Sequence, residues 1–406
     1  MHILVLTQHN VADPRYGGAL RVSALAEQLR RNGAHVSVIR FRSADELPSP
    51  EGGRFSVRDV IVPPGYAMAS VAALYHRISR DADRAACAFH AGESVDLIQS
   101  DPPWAALTGQ RLAQRLRAPH VVLAHNCESV LAAQFARAGP ARRVPLAGRL
   151  LSRINLAVLR RAEKRTIESA DLTLTPSAHD REEMARIGIA TGRVEVLPNG
   201  TSVRPVSADV RAAMRAQLDL DPDDPVVVFV GRMDYPPNRE AAEIICKDIA
   251  PRCPAARFVL VGSHPPAGPK PANVTSTGSV AEVETYLSAG DLAIVPMLRG
   301  SGTRIKILDA WAAGLPVLST STGASGLGYR NGVDIVIEDD PLRFPARIIE
   351  LLSAPDRLAH LRCGALQAAV SYRWETIGNR YVGLLRALTL QAASALPTSE
   401  MLQSHI

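Results

Sequence analysis

The chain has 406 residues, of which 47% are hydrophobic and only 4% aromatic, and its formal net charge is +6 with a pI of about 9.2. The length exceeds that of one ordinary domain and predicts two. Few aromatic side chains are available for base stacking, so we expect no nucleic-acid partner. The abundance of alanine and valine favours α/β layers over a β-sandwich.

The sequence shows no signal for export or for crossing a membrane. Its apolar start, Met1–Leu6, has no basic segment before it and no cleavage site after it, and is interpreted as a first strand. No run of about 18 apolar residues occurs. The five cysteines are scattered without metal-type spacing and are interpreted as reduced thiols. These features predict a cytoplasmic protein without a metal site.

The first half of the chain alternates short apolar strands with helices. A strand at Ile3–Thr7 precedes a helix that starts at Gly17-Gly18 and runs through Arg31, and Gly33 ends this helix before a second strand at His35–Arg40. Further strands are expected at Leu97–Gln99, His120–Ala124, Leu172–Thr175 and Val194–Leu197, with helices at Ala105–Arg117 and Leu150–Ser169. This βαβ repetition predicts a parallel sheet with helices on both faces.

A segment rich in proline and charge, Ser202–Pro225, interrupts the pattern, and a second βαβ series follows it. Its expected strands are Val226–Gly231, Arg257–Val261, Asn273–Thr275, Leu292–Val295, Val317–Ser319 and Asp334–Ile337. A last long helix is expected at Trp374–Leu388. We therefore predict two doubly wound Rossmann-like domains that face each other across a cleft, with the ligand at the carboxyl ends of both sheets.

The stretch Arg299–Leu318 is the most informative part of the sequence. A glycine-rich turn with two cations, Arg304 and Lys306, leads from a strand into a helix. Such a turn exposes backbone N–H groups where the helix dipole is positive, and its simplest ligand is a phosphate or diphosphate. Asp309, one to two turns further on, is placed to accept hydrogen bonds from a ribose. The alternatives are a solvated loop and a carboxylate that only favours the helix dipole.

Strand ends of the first half offer further candidates. Gly17 and Gly18 allow a backbone to approach a phosphate or sugar, or form only a tight turn. His125, at the end of the strand His120–Ala124, suits a hydrogen bond to a sugar hydroxyl or the stabilisation of transition-state charge, with a structural role as the alternative. His9, Asn126 and Asn199 are candidates for acceptor or cleft contacts.

Two groups of cations remain. Arg232 directly follows the strand Val226–Gly231, where a guanidinium can bind a diphosphate through two hydrogen bonds or form a surface salt bridge. Residues 142–165 combine arginines with leucines and isoleucines in a basic amphipathic pattern. This pattern predicts either peripheral contact with an anionic membrane or a helix that packs its apolar face on the sheet.

These motifs, in this order and spacing, resemble the retaining glycosyltransferases of family 4 over nearly all of residues 1–390. The segments that carry the resemblance are Tyr16-Gly17-Gly18, Ala124-His125-Asn126, Thr175-Pro176-Ser177, Leu197-Pro198-Asn199-Gly200, Gly231-Arg232-Met233 and Ser301–Pro316. The resemblance implies the two-domain GT-B fold. Its expected parts are an acceptor-binding domain at 1–204, a nucleotide-sugar-binding domain at 205–372, a helix at 373–390 that crosses back to the first domain, and a disordered tail at 391–406.

The donor site departs from the family pattern of two acidic residues in a Glu-x7-Glu motif. The second acidic residue, which binds ribose in the family, aligns with Asp309, whereas Ser301 stands where the first is expected. Backbone N–H groups near Gly302 and Thr303 are then expected to hold the donor sugar and phosphate.

A second departure concerns the cations of the diphosphate site. Arg232 matches the family's arginine, but no lysine occurs near Pro237-Asn238, where the resemblance places one. Lys306, in the nearby turn, is expected to supply that charge. Together the departures resemble a Gly-Ser-Gly-Thr-Arg-x-Lys branch of the family.

The composition, rich in alanine and arginine, suggests a bacterial origin. The resemblance implies a metal-independent, retaining hexosyltransferase that needs no cofactor beyond its nucleoside-diphosphate sugar. Arg232, Lys306 and Arg304 would stabilise the departing diphosphate, and His125 would orient the donor sugar. The acceptor would be a hydroxyl of a saccharide, a lipid-linked molecule or a natural product. Two alternatives stay open, namely an epimerase that acts on the nucleotide sugar and a non-catalytic nucleotide-sugar-binding protein.

Overall fold

The computed structural model describes residues 1–14, 17–50, 54–62, 94–101, 105–138, 146–300 and 303–394. The chain divides into two compact units. The first comprises Met1–Pro198 together with the residues from Ile377 onward, and the second comprises Asn199–Thr376. Each unit is built on its own parallel sheet.

The first unit contains a sheet of seven strands. In chain order they are β1 (His2–Thr7), β2 (His35–Arg42), β3 (Ser56–Ile61), β4 (Leu97–Ser100), β5 (His120–Leu123), β6 (Leu172–Thr175) and β7 (Val194–Val196). Their spatial order is β3-β2-β1-β4-β5-β6-β7, and neighbouring strands pair in parallel. The strand order reverses between β1 and β4, which is the point where doubly wound sheets bind ligands.

Helices connect these strands, as the sequence pattern predicts. They are α1 (Gly17–Arg31), α2 (Ala106–Leu116), α3 (Glu128–Ala138), α4 (Leu146–Glu168) and α5 (Ala178–Arg186). The central strands β4 and β5 are buried along their whole length, because helices cover both faces of a parallel sheet. Strand β3, which was not predicted, lies at the sheet edge and is half-exposed, so its sequence lacks a continuous apolar run.

A buried arginine anchors α1 to the far side of its sheet. Arg21 is 1% exposed, and its Nη2 donates to the carbonyl oxygen of Leu197, 2.8 Å away, just beyond β7. Burial lowers the pKa of this guanidinium to about 10, which leaves it charged at neutral pH. The contact therefore fixes α1, and the loop that precedes it, against the carboxyl end of the sheet.

The second unit repeats the architecture with six strands. They are β8 (Val226–Val230), β9 (Arg257–Val261), β10 (Val274–Gly278), β11 (Leu292–Val295), β12 (Val317–Ser319) and β13 (Val336–Ile337), in the spatial order β10-β9-β8-β11-β12-β13. The helices are α6 (Ala208–Gln217), α7 (Pro236–Ile244), α8 (Val283–Ala289), α9 (Ile305–Ala312), α10 (Phe344–Leu352) and α11 (Pro355–Val370). Neighbouring strands are again parallel, and the order reverses between β8 and β11. The prediction of two doubly wound α/β sheets is confirmed.

The final helix, α12 (Trp374–Ser394), starts in the second unit, and its residues from Ile377 onward belong to the first. Within the first unit, Tyr381 is fully buried and its hydroxyl donates to Gln99 of β4. The helix extends to Ser394, four residues into the segment expected to be a disordered tail, because Gln391, Ala392 and Ala393 favour a helix. The rest of that segment, 395–406, lies outside the described residues.

Candidate active site

Three side chains converge at the carboxyl edge of the first sheet. His9 follows β1, Asp101 follows β4 and His125 follows β5, and these strands are neighbours. Asp101 is fully buried, and its Oδ1 is in short contact with Nε2 of His125. Its Oδ2 lies 3.7 Å from Nε2 of His9. The sheet order thus joins residues that are far apart in sequence around one carboxylate.

The Asp101 carboxylate is held from the strand beside it. Thr7 donates its hydroxyl to Oδ2 of Asp101 over 3.1 Å and accepts the backbone N–H of His9 over 2.9 Å. The backbone N–H of Asp101 donates to the carbonyl oxygen of Leu6 over 2.7 Å. Burial lowers the pKa of His9 to about 4, so this imidazole is neutral at physiological pH. The group therefore has one buried carboxylate between two imidazoles of fixed position.

The predicted glycine pair lies beside this group. Gly17 and Gly18 are the first residues of α1, and a Cβ on Gly18 would lie 2.9 Å from Nε2 of His9. That separation is shorter than real Cβ contacts allow, so the absent side chain is what admits the His9 ring. The structure places Gly18 and His9 together, while Tyr16, which precedes the pair, lies outside the described residues.

Asn126 and Glu128 extend the site along the loop after β5. Nδ2 of Asn126 donates to Oε1 of Glu128 over 3.2 Å. Burial raises the pKa of Glu128 to about 7. Glu163 on α4 accepts the backbone N–H groups of Glu128 and Ser129 over 2.6 and 3.1 Å and so caps the start of α3. The loop that carries His125 is thus fixed at its far end.

Asp101 was not among the predicted site residues. Its partner His125 is distant in sequence, and only the order of the sheet brings the two together. One signal was nevertheless present, because Asp101 directly follows a strand that flanks the reversal of strand order.

In the second unit, a lysine amine occupies the carboxyl edge of the sheet. Nζ of Lys306, in the first turn of α9, donates to Oδ1 of Asn238 on α7 over 2.7 Å. The same amine lies 4.3 Å from the ring centroid of Phe229 on β8. Burial, and the nearby charge of Arg304, hold the pKa of Lys306 well below its ordinary value. The amine therefore lies beside Asn238, the position near which the resemblance places the family's lysine.

Glycines allow the strands to approach this amine closely. A Cβ on Gly231 would lie 3.0 Å from Nζ of Lys306 and 2.9 Å from the amide of Asn238. Gly262, at the end of β9, has a φ of +135° and packs on the carbonyl of Gly231. Arg232 follows directly, half-exposed, and its Nε donates to Oδ1 of Asp234 over 2.8 Å.

Asp309 lies one turn beyond Lys306 on the same helix. Its Oδ1 accepts the hydroxyl of Thr201 over 2.7 Å, and burial raises the pKa of its carboxyl group to about 7. Asn199 lies near the turn before α9, with its Nδ2 donating to the carbonyl oxygen of Thr303 over 3.3 Å. Asn199 was expected among acceptor or cleft contacts, and the structure places it in the second unit.

The turn itself is described only in part. Arg304 is 8% exposed, and α9 begins after it without a side-chain cap. Gly300 has a φ of +129°, which favours glycine. Ser301 and Gly302 lie outside the described residues.

Among the described residues, one group has the composition of a metal site, namely His9, Asp101 and His125, whose ligand atoms all lie within 4.8 Å of one another. Oδ1 of Asp101 and Nε2 of His125 are already in direct contact, so a metal bonded to both would first have to separate them.

The basic region 142–165 is described from residue 146, and two of its cations form internal contacts. Arg160 Nε donates to the carbonyl oxygen of Ile187 over 3.2 Å, and Nζ of Lys164 donates to that of Gly188 over 2.6 Å. Membrane contact through this region stays a prediction. None of the described helices has the length and hydropathy needed to cross a bilayer.

Two family models match most of the chain. The model described as Glycosyltransferase Family 4 matches residues 16–204, and the model described as Glycosyl transferases group 1 matches residues 224–354. The first match contains His125, and the second contains Arg232, Lys306 and Asp309.

Curated relatives carry a consistent name. The D-inositol 3-phosphate glycosyltransferase of Segniliparus rotundus is 25% identical over 321 residues, which are 74% of this chain and 68% of the relative. The protein of the same name from Rhodococcus opacus is 26% identical over 415 residues, which cover 92% of this chain and 87% of the relative. For several other relatives of that name, the match spans about half of their own length.

Solved structures show the same fold. Sucrose-phosphate synthase from Thermosynechococcus elongatus superposes with a TM-score of 0.74 at 21% identity and covers 96% of this chain and 100% of that chain. An Anabaena protein in complex with UDP-glucose superposes with a TM-score of 0.68 at 17% identity and covers 95% and 100%. The expected GT-B fold, with two Rossmann-like domains, is confirmed.

Proposed function

We propose that the chain, of which residues 16–204 and 224–354 match two glycosyltransferase family models, transfers a sugar from a nucleoside-diphosphate sugar to a hydroxyl group of its acceptor. The transfer retains the anomeric configuration and needs no bound metal. The acceptor is a saccharide, a lipid-linked molecule or a natural product. The proposal rests most directly on one observation, the amine of Lys306 at the start of α9.

Lys306 has the properties expected of a diphosphate ligand. Its amine is partly withdrawn from water, beside a neutral amide and an aromatic face, and no carboxylate among the described residues pairs with it. A cation in such surroundings lacks a full counter-charge, which an anionic ligand would supply. It also lies next to the uncapped start of a helix at the reversal point of the sheet. All of these features favour an anion.

The remaining donor contacts follow from their places around Lys306. Arg232 and Arg304 add charge for the diphosphate, while Ser301 and Gly302, expected to supply backbone N–H groups, lie outside the described residues. Asp309 lies one turn along α9 with a carboxyl oxygen on the hydroxyl of Thr201. We assign it to the ribose, whose hydroxyls would bond to the same carboxyl group.

In the first unit, we assign His125 to the donor sugar and leave Gly17 and Gly18 with a backbone contact to the donor. His9, Asn126 and Asn199 remain candidates for acceptor contacts. The relatives named for D-inositol 3-phosphate suggest a phosphorylated polyol as the first acceptor to test.

The proposed reaction forms one bond and breaks one. The acceptor oxygen bonds to the anomeric carbon on the face from which the diphosphate leaves, and the bond between that carbon and the diphosphate oxygen breaks. The acceptor's proton passes to the departing phosphate. Lys306, Arg232 and Arg304 stabilise the charge that develops on the diphosphate, which is an electrostatic contribution to the rate.

A binding screen followed by product analysis tests this function. Thermal shifts are measured with a panel of nucleoside diphosphates and nucleotide sugars, including UDP-glucose, because a ligand that binds the folded state raises the melting temperature. The donor that binds is then incubated with and without inositol 3-phosphate and a panel of saccharides. We expect a glycoside with the donor's anomeric configuration, detected by NMR.

Three results would contradict the proposal. Conversion of the donor into another nucleotide sugar without acceptor would identify an epimerase. Donor binding without any turnover over the whole acceptor panel would identify a non-catalytic binding protein. An inverted anomeric configuration in the product would overturn retention.

A further inference from the structure

We infer that Asp101 is a positioning residue that holds the proton of the neutral His125 ring on Nε2, so that Nδ1 presents a lone pair to a substrate hydroxyl. The identity of that hydroxyl, on a sugar, rests on the proposed function. Which nitrogen of the His125 ring carries the proton does not depend on the proposed function, and it can be measured independently.

The position of the ring proton follows from the chemistry of the two groups. An ionised carboxylate has no proton to give and can only accept. The short contact between Oδ1 of Asp101 and Nε2 of His125 would be repulsive between two acceptors, so we place the ring proton on Nε2. A neutral imidazole carries one proton, and a proton on Nε2 leaves Nδ1 as an acceptor.

The surroundings fix this arrangement from several sides. Asp101 is fully buried, and Thr7 donates to its other oxygen over 3.1 Å, so the carboxylate has little freedom to turn. The ring of His9 lies edge-on to that of His125, with centroids 5.3 Å apart and an interplanar angle of 77°. His9 is uncharged at physiological pH and therefore adds no positive charge beside the carboxylate.

The second nitrogen of His125 is the one available to a ligand. The His125 side chain is 13% exposed, and Nδ1 is the ring nitrogen that does not face Asp101. His120, on the same strand, differs, because it is 2% exposed and its Nε2 bonds to Oγ of Ser100 over 2.8 Å. Of these two histidines, His125 is the one whose geometry suits recognition.

A lone pair at this position selects for O–H groups. A sugar hydroxyl can donate to Nδ1, whereas a hydrogen or fluorine in its place cannot. The histidine thus distinguishes a hydroxylated substrate from its deoxy and deoxyfluoro analogues. If Nδ1 carried the proton instead, it would act as a donor, and a fluorine or ether oxygen would be accepted as well as a hydroxyl, so this selectivity would be lost.

Nitrogen NMR on the full-length protein with 15N-labelled histidine measures the ring state directly. Long-range 1H–15N correlations distinguish the two tautomers, and His125→Gln assigns the signals among the 11 histidines. We expect the Nε2–H form in the unmodified protein wherever the spectra show an uncharged ring. In Asp101→Asn, the amide N–H can donate to Nε2, so the proton is expected on Nδ1.

Matched controls separate this role from a structural one. Asp171→Asn changes a carboxylate that accepts the backbone N–H of His120 and contacts neither His125 nor His9, and it should leave the His125 tautomer unchanged. The His120 signals serve as an internal reference for the fold in the unmodified protein and in Asp101→Asn. An Nδ1–H form in the unmodified protein, an unchanged tautomer in Asp101→Asn, or a metal ion on Nε2 of His125 would each overturn the inference.

Kinetics then show whether the tautomer matters for transfer. In Asp101→Asn, kcat is expected to fall roughly tenfold to a thousandfold, the range for a lost polar contact in a transition state, with a smaller change in the donor KM. Undiminished kcat in a variant whose tautomer has reversed would overturn the substrate contact. If the tautomer reverses but no variant consumes donor, the proposed function fails and the assignment of the ring proton stands.

Discussion

Position 18 requires a glycine because the His9 side chain lies against it, and not because of its backbone conformation. Its φ lies outside the left-handed region, and the atom that a Cβ would meet is Nε2 of His9. An alanine at position 18 is compatible with the helix, but its Cβ would overlap the His9 ring. That ring would have to leave its place beside Asp101.

We predict that Gly18→Ala separates activity from stability. The displaced His9 ring should lower kcat roughly tenfold, whereas the free energy of unfolding should stay within about 1 kcal/mol, because alanine favours helices. Steady-state kinetics and urea unfolding measure the two quantities. Gly192→Ala, where a Cβ would meet nothing within 4 Å, is the control and should change neither. Full kcat in Gly18→Ala would show that the place of His9 is unimportant.

The buried amine of Lys306 predicts proton uptake on donor binding. A diphosphate favours the charged amine, so binding should raise its lowered pKa, and affinity should fall as pH rises through the range above the free amine's pKa. Measurements are made above about pH 7.5, where the terminal phosphate is ionised. Calorimetry in buffers of different ionisation enthalpy measures the uptake directly.

Lys306→Met should abolish this uptake and weaken nucleoside diphosphate binding roughly tenfold to a hundredfold, the range for losing a charged hydrogen bond. Lys247→Met, which removes an exposed amine paired with Glu243, is the matched control. Equal affinity and equal proton uptake in Lys306→Met and the unmodified protein would rule out the diphosphate contact.

Asp309→Ala is expected to raise the donor KM roughly tenfold with little change in kcat, because a ribose contact is made equally in the ground and transition states. Asp223→Ala, which removes an exposed carboxylate elsewhere in the unit, should leave KM unchanged. An unaltered KM in Asp309→Ala would remove the ribose assignment.

At the scale of elements, the carboxyl edge of the second sheet depends on a close approach between β8 and β9. Gly262 combines a φ of +135° with a position where a Cβ would overlap the carbonyl oxygen of Gly231. Gly268 has a φ of +95° but open space around it. Substitutions at Gly262 and Gly268 therefore distinguish the cost of backbone strain from the cost of steric overlap.

We predict that Gly268→Ala costs about 1–2 kcal/mol in the free energy of unfolding, for strain alone. Gly262→Ala should cost about 3 kcal/mol or more, because overlap adds to the strain. Urea denaturation provides both values. Equal losses in the two variants would mean that the β8–β9 contact relaxes without cost.

The sequence predicts the buried strands best. The strands β8, β9 and β11 have near-continuous apolar runs, and their predicted bounds lie within a residue of those observed. The edge strand β3 has no such run and was missed. The contacts of Asp101 with His125 and of Lys306 with Asn238 are set by strand order and helix placement, which local patterns do not encode.

At the scale of the whole molecule, the proposed donor site has protein cations where other enzymes use a metal ion. Arg304 directly precedes the helix that carries Lys306, and Arg232 follows Gly231, whose backbone approaches the Lys306 amine. We therefore expect added EDTA to leave the transfer rate within about twofold, since the diphosphate charge is already balanced. Activity that is lost with EDTA and regained with Mg²⁺ or Zn²⁺ would identify a metal requirement.

The last helix has a consequence for how the protein is made. The first unit is discontinuous in sequence, because Tyr381 and its buried neighbours Ile377, Val382 and Leu385 reach it only after the second unit has been synthesised. While the second unit is being synthesised, the amino-terminal half lacks these residues. Part of its apolar surface then stays exposed, and Gln99 lacks its hydrogen bond with Tyr381. Chaperones are most expected to bind the chain during this interval. A premature stop before residue 377 would make the exposure of this apolar surface permanent.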